Sequence, residues 1–349
     1  MNKRRWESVR RVFDHLADKS PSHRSDYLDI VCEDDAGLRS EVERLLAAND
    51  ALEADESVAL FRGARKPHDS AMSKPADALA MPRTLGGYDV GERIGSGGMG
   101  AVFAARHAEY GEVALKVLPG FLVSGESAAA RFRNEALALA QLDHSGLCAL
   151  YESFVADGFA CIAMERVVGE DLTGVIARGA ADVGDAARIV AALADALAVA
   201  HAQEVYHRDV KPGNVILPEA QPQGPKLIDF GIAKFADSKL TATGQAVGSP
   251  RYMSPEQWRG GTVDGRTDLW SLGVLWYEML TAERPFEGAA LADVAAAVLT
   301  ADVPPLPEFN TRGQSLAESE RHIRALLQKE PSDRVQTCDE LAGRLATLV

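Results

Sequence analysis

The sequence predicts an α+β protein of two lobes, the first rich in strands and the second rich in helices. A small helical segment precedes them at the N-terminus. From Tyr88 onwards, the stretches YDVGERIG, GAVFAARH and GEVALKVLP alternate in polarity and are punctuated by glycine, which is typical of antiparallel strands. After about residue 170, nearly every long periodic stretch has helical spacing. A strand-rich block followed by a helix-rich block indicates two lobes of different class.

Residues 1–61 form the predicted helical segment. Apolar residues recur there every three or four positions, as an amphipathic helix requires. These positions are Trp6, Val9, Phe13 and Leu16, and then Leu38, Val42, Leu45 and Leu46. Residues 62–83 are small and polar, contain prolines and lack periodicity, so we expect a flexible linker. The helical segment is either a packing extension of the lobes or a docking or regulatory module.

The later elements can be assigned in chain order. AAARFRNEALALAQL predicts a helix, and ALYESFVADGFACIAMERV predicts two more strands. AARIVAALADALAVAHA predicts a core helix. Arg188 and Asp195 interrupt its apolar residues, so this stretch is too charged and too short to span a bilayer.

Composition excludes several classes of partner. The chain has 349 residues, 46% of them apolar, and a formal net charge of −14, which argues against nucleic acid and against anionic membranes as partners. The four cysteines lack metal-ligand spacing and are expected to be small buried hydrophobes in a reducing compartment. The basic N-terminus has no apolar run behind it, so we expect no signal peptide and a cytoplasmic location.

The stretch IGSGGMGAVFAAR places Gly95, Gly97 and Gly100 in G-x-G-x-x-G spacing. A dinucleotide-binding turn would need a helix directly after the glycines, whereas AVFAAR favours a strand. A glycine-rich hairpin can instead fold over a nucleotide, with its backbone N–H groups close to phosphate oxygens. The glycines alone also fit a hairpin that is merely flexible.

Lys116 lies in the apolar strand VALKVL. It could be an edge-strand lysine with its ammonium group in water. Alternatively, it is directed at phosphate and held by a carboxylate. Glu135, 19 positions later on the predicted helix, would supply that carboxylate.

A short loop carries the most specific pattern. HRDVKPGN, followed by LIDFG, matches the protein-kinase signature set. The order also fits: glycine loop, VALK, a helix Glu, HRD…N, DFG, and then SPE in place of the usual APE. Over about residues 88–349, the chain therefore resembles a bacterial Hanks-type (eukaryotic-like) serine/threonine protein kinase. The resemblance implies a bilobal protein-kinase-like fold over residues 84–349, with the N-lobe at about 84–167 and the C-lobe at about 168–349.

The resemblance implies a catalytic role for four residues. Asp209 would accept the proton of a substrate hydroxyl, and Lys211 would neutralise the transferring phosphate. Lys116, fixed by Glu135, would contact the α- and β-phosphates of ATP. These roles agree with the physics of phosphoryl transfer, which needs positioning and cancellation of charge more than covalent chemistry.

The same resemblance implies the metal and nucleotide ligands. Asn214 and Asp229 would hold Mg²⁺ or Mn²⁺, since hard cations take oxygen ligands. Met164 would be the gatekeeper next to adenine, although the apolar positions also fit ordinary core packing. The residues implied to bind ATP are Ile94, Gly95, Ser96, Gly97, Gly98, Met99, Gly100, Val102, Ala114, Lys116, Met164, Glu165, Val167 and Ile216.

Further positions match structural parts of the family. Asp268 would anchor the catalytic loop, and Glu256 and Arg334 would form a buried ion pair. Two positions depart from the usual pattern: Gly213 stands where kinases that favour basic substrates often carry Glu, and Ser249 replaces a usual Thr. The internal hydrophobic spine of the family would comprise Leu139, Leu150, His207 and Phe230.

The implied function is ATP-dependent phosphorylation of serine or threonine on protein substrates in bacterial signalling, with activating autophosphorylation. Thr241 and Thr243 lie eight and six residues before Ser249, which is the spacing of activating threonines in bacterial relatives. Arg208 would bind the phosphothreonine. A dimer through the N-lobe or the N-terminal helices is an expected assembly.

Two alternatives compete with this function. A pseudokinase scaffold would bind partners without turnover, but such proteins commonly lack one of the residues that stand here as Lys116, Asp209 and Asp229. A kinase acting on a small molecule is disfavoured by the long segment between DFG and SPE, which resembles a platform for protein substrates.

Overall fold

The structure is a computed structural model. It describes residues 82–97, 100–119, 126–219, 224–230, 249–307, 313–346 and 348, together with individual residues between positions 12 and 46. Of the linker predicted at 62–83, only Pro82 and Arg83 fall within these ranges.

A six-stranded antiparallel sheet forms the first lobe, in the order β1-β2-β3-β4-β6-β5. One helix, α1 (Glu126–Ala140), packs against β5. The strands are β1 (Thr84–Leu85), β2 (Tyr88–Gly97), β3 (Gly100–His107), β4 (Gly111–Pro119), β5 (Leu150–Ala156) and β6 (Phe159–Glu165). The strand pairs and the helix that the sequence predicts are therefore present.

Successive side chains of β4 alternate between the apolar core of this lobe and the face that carries the predicted site residues. Val113, Leu115 and Val117 are buried in one apolar cluster together with residues of β6. Because successive side chains of a strand point to opposite faces, Ala114 and Lys116 lie on the other face. That face is turned toward the second lobe, where Asp229 contacts Lys116.

The second lobe is mainly helical. Its longest helices are α3 (Val183–His201), which begins at the N-cap Asp182, and α5 (Gly265–Thr281). Every residue of α5 from Thr267 to Leu280 is buried, as expected of a helix at the centre of a core. The other helices are α2 (Leu172–Ala177), α4 (Pro255–Arg259), α6 (Leu291–Thr300), α7 (Gly313–Leu326) and α8 (Cys338–Leu345).

A small antiparallel sheet in the second lobe leads into the loops that carry the predicted site residues. Its strands are β7 (Gly169–Asp171), β8 (Val215–Pro218) and β9 (Lys226–Leu227), in that order. The catalytic loop predicted from HRDVKPGN leads into β8, and the DFG residues follow β9. The prediction of a bilobal α+β fold is thus confirmed.

The described residues of the N-terminal segment are mostly helical, and their apolar members are buried. Leu16, Leu38, Val42 and Leu46 are all less than 10% exposed, whereas the other four predicted positions, Trp6, Val9, Phe13 and Leu45, lie outside the described residues. These leucines and valine belong to the same apolar cluster as the core of the second lobe, which also includes Phe132 and Leu139 of α1. Within the described part of the chain, no helix combines the length and the apolar character that a membrane crossing requires.

Candidate active site

The carboxylate of Asp209 is the centre of the candidate site. Lys211 Nζ lies 3.0 Å from its Oδ2 atom, and Asn214 Nδ2 donates to the same oxygen at 3.2 Å. The backbone N–H of Ser249 donates to Oδ1 at 3.2 Å. The Asp209 side chain remains 13% exposed. These donors orient the carboxylate while leaving an opening through which a hydroxyl group can approach it.

A single 3-10 turn, Pro212–Asn214, brings these groups together. Pro212 fixes the backbone at the start of the turn. At its end, Asn214 Nδ2 donates to the backbone carbonyl of Asp209 at 2.8 Å, which closes the loop on itself. Among the described residues, no group donates to the Asn214 Oδ1 atom, so this oxygen is available to a cation.

His207 connects the catalytic loop to the segment that carries Asp229. It is fully buried, and burial lowers its pKa, so the imidazole is neutral. Its Nε2 atom lies 3.0 Å from the carbonyl oxygen of Ile228 and therefore carries the hydrogen. Its Nδ1 atom accepts from the backbone N–H of Asp209 at 3.3 Å. The ring also packs on Phe230, with centroids 4.6 Å apart, so two predicted spine residues are in contact.

Asp268 anchors the backbone of the catalytic loop, as predicted. It accepts the backbone N–H of His207 at 2.8 Å and that of Arg208 at 2.7 Å. His201 Nε2 lies 2.8 Å from the same carboxylate. Burial acts to raise the pKa of Asp268, but these hydrogen bonds outweigh it and hold the pKa below its usual range. Arg208 has a positive φ of 63°, a backbone conformation that these bonds stabilise.

Lys116 forms an ion pair with Asp229 across the two lobes. The Nζ atom contacts Asp229 Oδ1 directly. The lysine side chain is only 12% exposed, whereas that of Asp229 is 38% exposed. Asp229 also has a positive φ of 63°. The ammonium group is therefore directed into the site, which excludes the reading of Lys116 as an edge-strand residue with its head in water.

The structure departs from the prediction at Glu135. Instead of holding Lys116, its Oε2 atom is buried without a hydrogen-bond partner among the described residues. Burial raises the pKa of Glu135 to about 8, although the charge of Arg208 acts in the opposite direction. The described partner of the Lys116 ammonium group is Asp229 on the opposite lobe, so the expected pair with Glu135 is not formed here.

The residues predicted to surround adenine line the interlobe face of the sheet. Ala114 stands opposite Met164, and Val102 stands opposite Lys116, in register across neighbouring strands. Ile94 is 45% exposed, as a residue covering a ligand would be. Gly100 is required by packing, because a Cβ atom there would lie 2.3 Å from the Val117 carbonyl oxygen.

A second ion pair, which sequence reasoning missed, braces the end of β6. Lys226 Nζ donates to Glu165 Oε1 at 2.6 Å and to Oε2 at 2.5 Å. The same carboxylate accepts the backbone N–H of Ala149 at 3.3 Å. Burial raises the pKa of the nearby Cys148 thiol to about 12, so it stays protonated and donates to the Glu165 carbonyl oxygen. The partners are 61 positions apart, and no motif links them.

A small cavity of about 30 Å³ adjoins Lys116 and Asp229 on the side of α1. Its walls are mainly apolar and include Leu139, Leu150 and Phe230, three of the predicted spine residues. The ion pair and these predicted spine residues therefore border one small cavity.

The predicted pair of Glu256 and Arg334 is confirmed and buried. Arg334 Nη1 and Nη2 donate to the two Glu256 oxygens at 2.9 and 3.1 Å. Thr267 donates to the same carboxylate at 2.8 Å. Burial acts to raise the pKa of Glu256, and the bonds from Arg334 overcome it, so the carboxyl stays ionised.

Comparison with known proteins identifies the family in which this arrangement of residues occurs. The family model described as "Protein kinase domain" matches residues 88–343. The chain belongs to the protein kinase family. Its relatives include serine/threonine-protein kinase pkn3 of Myxococcus xanthus, 38% identical over 268 residues, which cover 74% of this chain and 49% of the relative. A probable serine/threonine-protein kinase PknB of Corynebacterium glutamicum is 35% identical over 272 residues, covering 75% of this chain and 42% of the relative.

A solved kinase domain shares the fold. The crystal structure of the Mycobacterium tuberculosis PknI kinase domain matches with a TM-score of 0.62 at 29% sequence identity, covering 78% of this chain and all of that domain. This chain spans about half or less of the length of the two curated relatives described above. Their bacterial serine/threonine kinase names agree with the resemblance drawn from the motifs.

Some predicted positions fall outside this description. Gly98 and Met99 in the glycine-rich hairpin lie outside the described residues, as do the predicted phosphorylation sites Thr241 and Thr243. Of the other ATP-binding positions, Gly95, Glu165, Val167 and Ile216 lie on or next to the strands that border the interlobe face.

Proposed function

We propose that this protein is a serine/threonine protein kinase, which transfers the γ-phosphoryl group of ATP to a hydroxyl group of a protein substrate. The observation that carries the proposal is the Asp209 carboxylate, which is oriented by Lys211, Asn214 and the Ser249 backbone. In the reaction, the substrate oxygen forms a bond to the γ-phosphorus and the bond to ADP breaks. Asp209 takes the proton released from the hydroxyl group.

The other side chains position charge rather than react. Lys211, 3.0 Å from Asp209, is placed to neutralise the phosphoryl group as it moves toward the hydroxyl. Lys116, in turn, supplies a cation from the opposite lobe. For Lys116 to bind ATP phosphates, its pairing with Asp229 must loosen.

Protein kinases use ATP and a divalent metal ion, and the residues here fit such an ion. Asn214 Oδ1 and the partly exposed Asp229 carboxylate provide two oxygen ligands. Mg²⁺ usually takes only one or two carboxylate-type ligands from the protein and completes its shell with phosphates and water. We propose Mg²⁺ or Mn²⁺ at this position, where it would neutralise the charge of the phosphates.

Activation is proposed to depend on phosphorylation at Thr241 or Thr243. Arg208, beside the catalytic Asp209, is the cation that a phosphothreonine would engage. The charge of Glu135 already acts on Arg208. A phosphothreonine would compete for that cation and leave Glu135 to pair with Lys116. The Thr241→Ala/Thr243→Ala double variant should therefore be much less active than the phosphorylated wild-type chain.

Residues 1–61 are proposed to be a packing extension of the kinase lobes. This is supported by the buried Leu16, Leu38, Val42 and Leu46, which share one apolar cluster with the lobes. A dimer through the N-lobe or these helices is a further proposal.

The function is tested with purified protein, radiolabelled ATP and a generic acceptor such as myelin basic protein. Asp209→Asn and Lys116→Ala should each lower incorporation by at least 100-fold while the far-UV circular dichroism and the melting temperature stay close to wild type. Both side chains act in the cleft rather than in the core, so folding should change little. Turnover at the wild-type rate in either variant would exclude that residue from the mechanism. A wild-type protein that binds ATP without turnover would favour the pseudokinase alternative.

A further inference from the structure

Two arginines share one carboxylate beside the candidate active site. Arg251 Nε donates to Glu287 Oε2 at 3.2 Å, and Arg284 Nε donates to Glu287 Oε1. The side chains of all three residues are 25% to 41% exposed, so the group is open to solvent. We call Arg251, Arg284 and Glu287 the basic cluster, because it carries two positive charges and one negative charge.

The basic cluster lies close to where a substrate hydroxyl must bind. Ser249 donates its backbone N–H to Asp209, and Arg251 follows only two residues later in the 3-10 turn Pro250–Tyr252. Consecutive Cα atoms are about 3.8 Å apart, so the Arg251 backbone is within about 8 Å of Ser249. A peptide with its acceptor at Asp209 therefore passes within side-chain reach of this arginine.

The arginines have donors to spare. A guanidinium group carries five N–H donors, and the described residues accept only one from Arg251. The Arg251 side chain is 25% exposed, and its remaining donors have no hydrogen-bond acceptor in the described ranges, while the Glu278 carboxyl interacts with it only through charge. Guanidinium donors bind carboxylates with matching geometry.

Among the described residues, Glu278 and Gly213 are two positions at this end of the cleft, and neither offers a free carboxylate to a basic peptide. Glu278 is 8% exposed and accepts the Tyr252 hydroxyl at 2.6 Å. Burial also raises the pKa of Glu278, which weakens it as an anion. Gly213 offers no side chain, and a Cβ atom there would meet only Thr173 Oγ1, at 3.5 Å.

We propose that the basic cluster selects protein substrates that carry a carboxylate side chain within a few residues of the acceptor hydroxyl. Arg251 is the principal specificity-determining residue, and Arg284 supports it. This inference rests on the proposed kinase function. The net charge of −14 does not oppose it, because charges beyond about 8 Å are largely screened at physiological ionic strength.

The experiment uses synthetic peptides with a single serine and Glu, Gln or Lys at each of four positions on either side. The ratio of kcat/KM between the Glu and Gln peptides is measured for the 349-residue chain. We expect a ratio of at least 5 at one or more positions, which declines as NaCl rises from 50 to 500 mM. Since each ratio compares two peptides with one enzyme, a general loss of activity cancels.

Variants assign the preference to its source. Arg251→Gln should bring the ratio close to 1, and Arg251→Glu should reverse it toward the Lys peptide. Arg259→Gln is the matched control, because Arg259 is a nearby arginine that pairs with Glu330 at 3.0 Å, outside the basic cluster. It should keep the wild-type ratio.

The outcomes separate this inference from the function on which it rests. If the wild type uses Glu, Gln and Lys peptides equally, or if Arg251→Gln keeps the full preference, the inference is overturned while the kinase function stands. If neither the peptides nor a generic protein acceptor is phosphorylated, the proposed function fails and the inference with it. A preference that appears only in the Thr241→Ala/Thr243→Ala variant would mean that the phosphorylated chain itself occupies the basic cluster, which also overturns the substrate assignment.

Discussion

Replacing Glu135 by glutamine should change how the stability of the protein depends on pH. The Glu135 carboxyl is held in a partly buried position where its Oε2 atom lacks a partner among the described residues. Glutamine has nearly the same shape but no titrating proton. The substitution therefore removes the proton equilibrium of this one position and leaves its packing nearly unchanged.

The size of the effect follows from the pKa. Burial raises the pKa of Glu135 from 4.5 to about 8, so between these pH values the folded state binds a proton that the unfolded state releases. The free energy of unfolding of the wild type should then fall as pH rises, by at most about 1.4 kcal/mol per pH unit. Over the whole window, the upper limit is roughly 5 kcal/mol. An ionised Glu135 that moves onto Lys116 or Arg208 would recover part of this loss.

The assay is urea denaturation from pH 5 to pH 9, comparing the wild type with Glu135→Gln. The two proteins should be similar in stability at pH 5. The glutamine variant should then become more stable than the wild type, by about 1–3 kcal/mol at pH 8, because it has no buried carboxyl to ionise and the wild type recovers only part of that cost. Glu219→Gln, at an exposed position, is the control and should follow the wild type throughout.

Parallel stability curves for the wild type and Glu135→Gln would refute this reasoning. They would mean that Glu135 is ionised in the folded protein at neutral pH and paired with a cation. A glutamine variant that is less stable than the wild type at pH 8 would point to the pair with Lys116. Under the proposed function, Glu135→Gln should also lower the rate of phosphorylation by at least tenfold, because glutamine cannot replace the carboxylate as the ionic partner of this lysine.

Four other substitutions test separate parts of the protein. Asp229→Ala should abolish phosphorylation even at saturating Mg²⁺, because lysines alone cannot cancel the charge of the phosphates. Excess EDTA should abolish phosphorylation by the wild type for the same reason. Full turnover in EDTA would contradict this. Arg334→Met leaves Glu256 charged and buried, and should cost about 3–5 kcal/mol of unfolding free energy in urea. Arg344→Met, which breaks an exposed pair, should cost less than about 1 kcal/mol, and equal losses would refute the distinction. Lys226→Met should weaken ATP binding at least fivefold by calorimetry, and unchanged affinity would exclude a role for this pair at the nucleotide site.

The order of motifs in the sequence was sufficient to predict the lobes and the contacts that hold the catalytic loop. Asp268 and the pair of Glu256 and Arg334 lie where the resemblance implies, because these buried charges have few alternative partners in such a fold. The sequence positions of these residues are fixed by the motifs. The contacts that the family makes can therefore be assigned to this sequence residue by residue.

The partner of Lys116 could not be predicted in the same way. Asp229 and Glu135 are both carboxylates, so residue type does not choose between them; only the structure shows that Asp229 contacts the lysine while Glu135 Oε2 has no partner among the described residues. The pair of Lys226 and Glu165 escaped prediction for a different reason. Neither residue belongs to a motif by its charge, and the contact exists only once β6 and β9 are brought together by the fold.

The cluster shared by the N-terminal residues and the kinase lobes has a consequence for work with shortened proteins. The family model begins at residue 88, which makes that residue an obvious place to cut. A protein that starts there lacks Leu16, Leu38, Val42 and Leu46, so the apolar side chains that these residues cover would meet water. We expect such a fragment to be more prone to aggregation than the full chain. Isolated catalytic domains of this protein should therefore be expressed with the N-terminal helices attached.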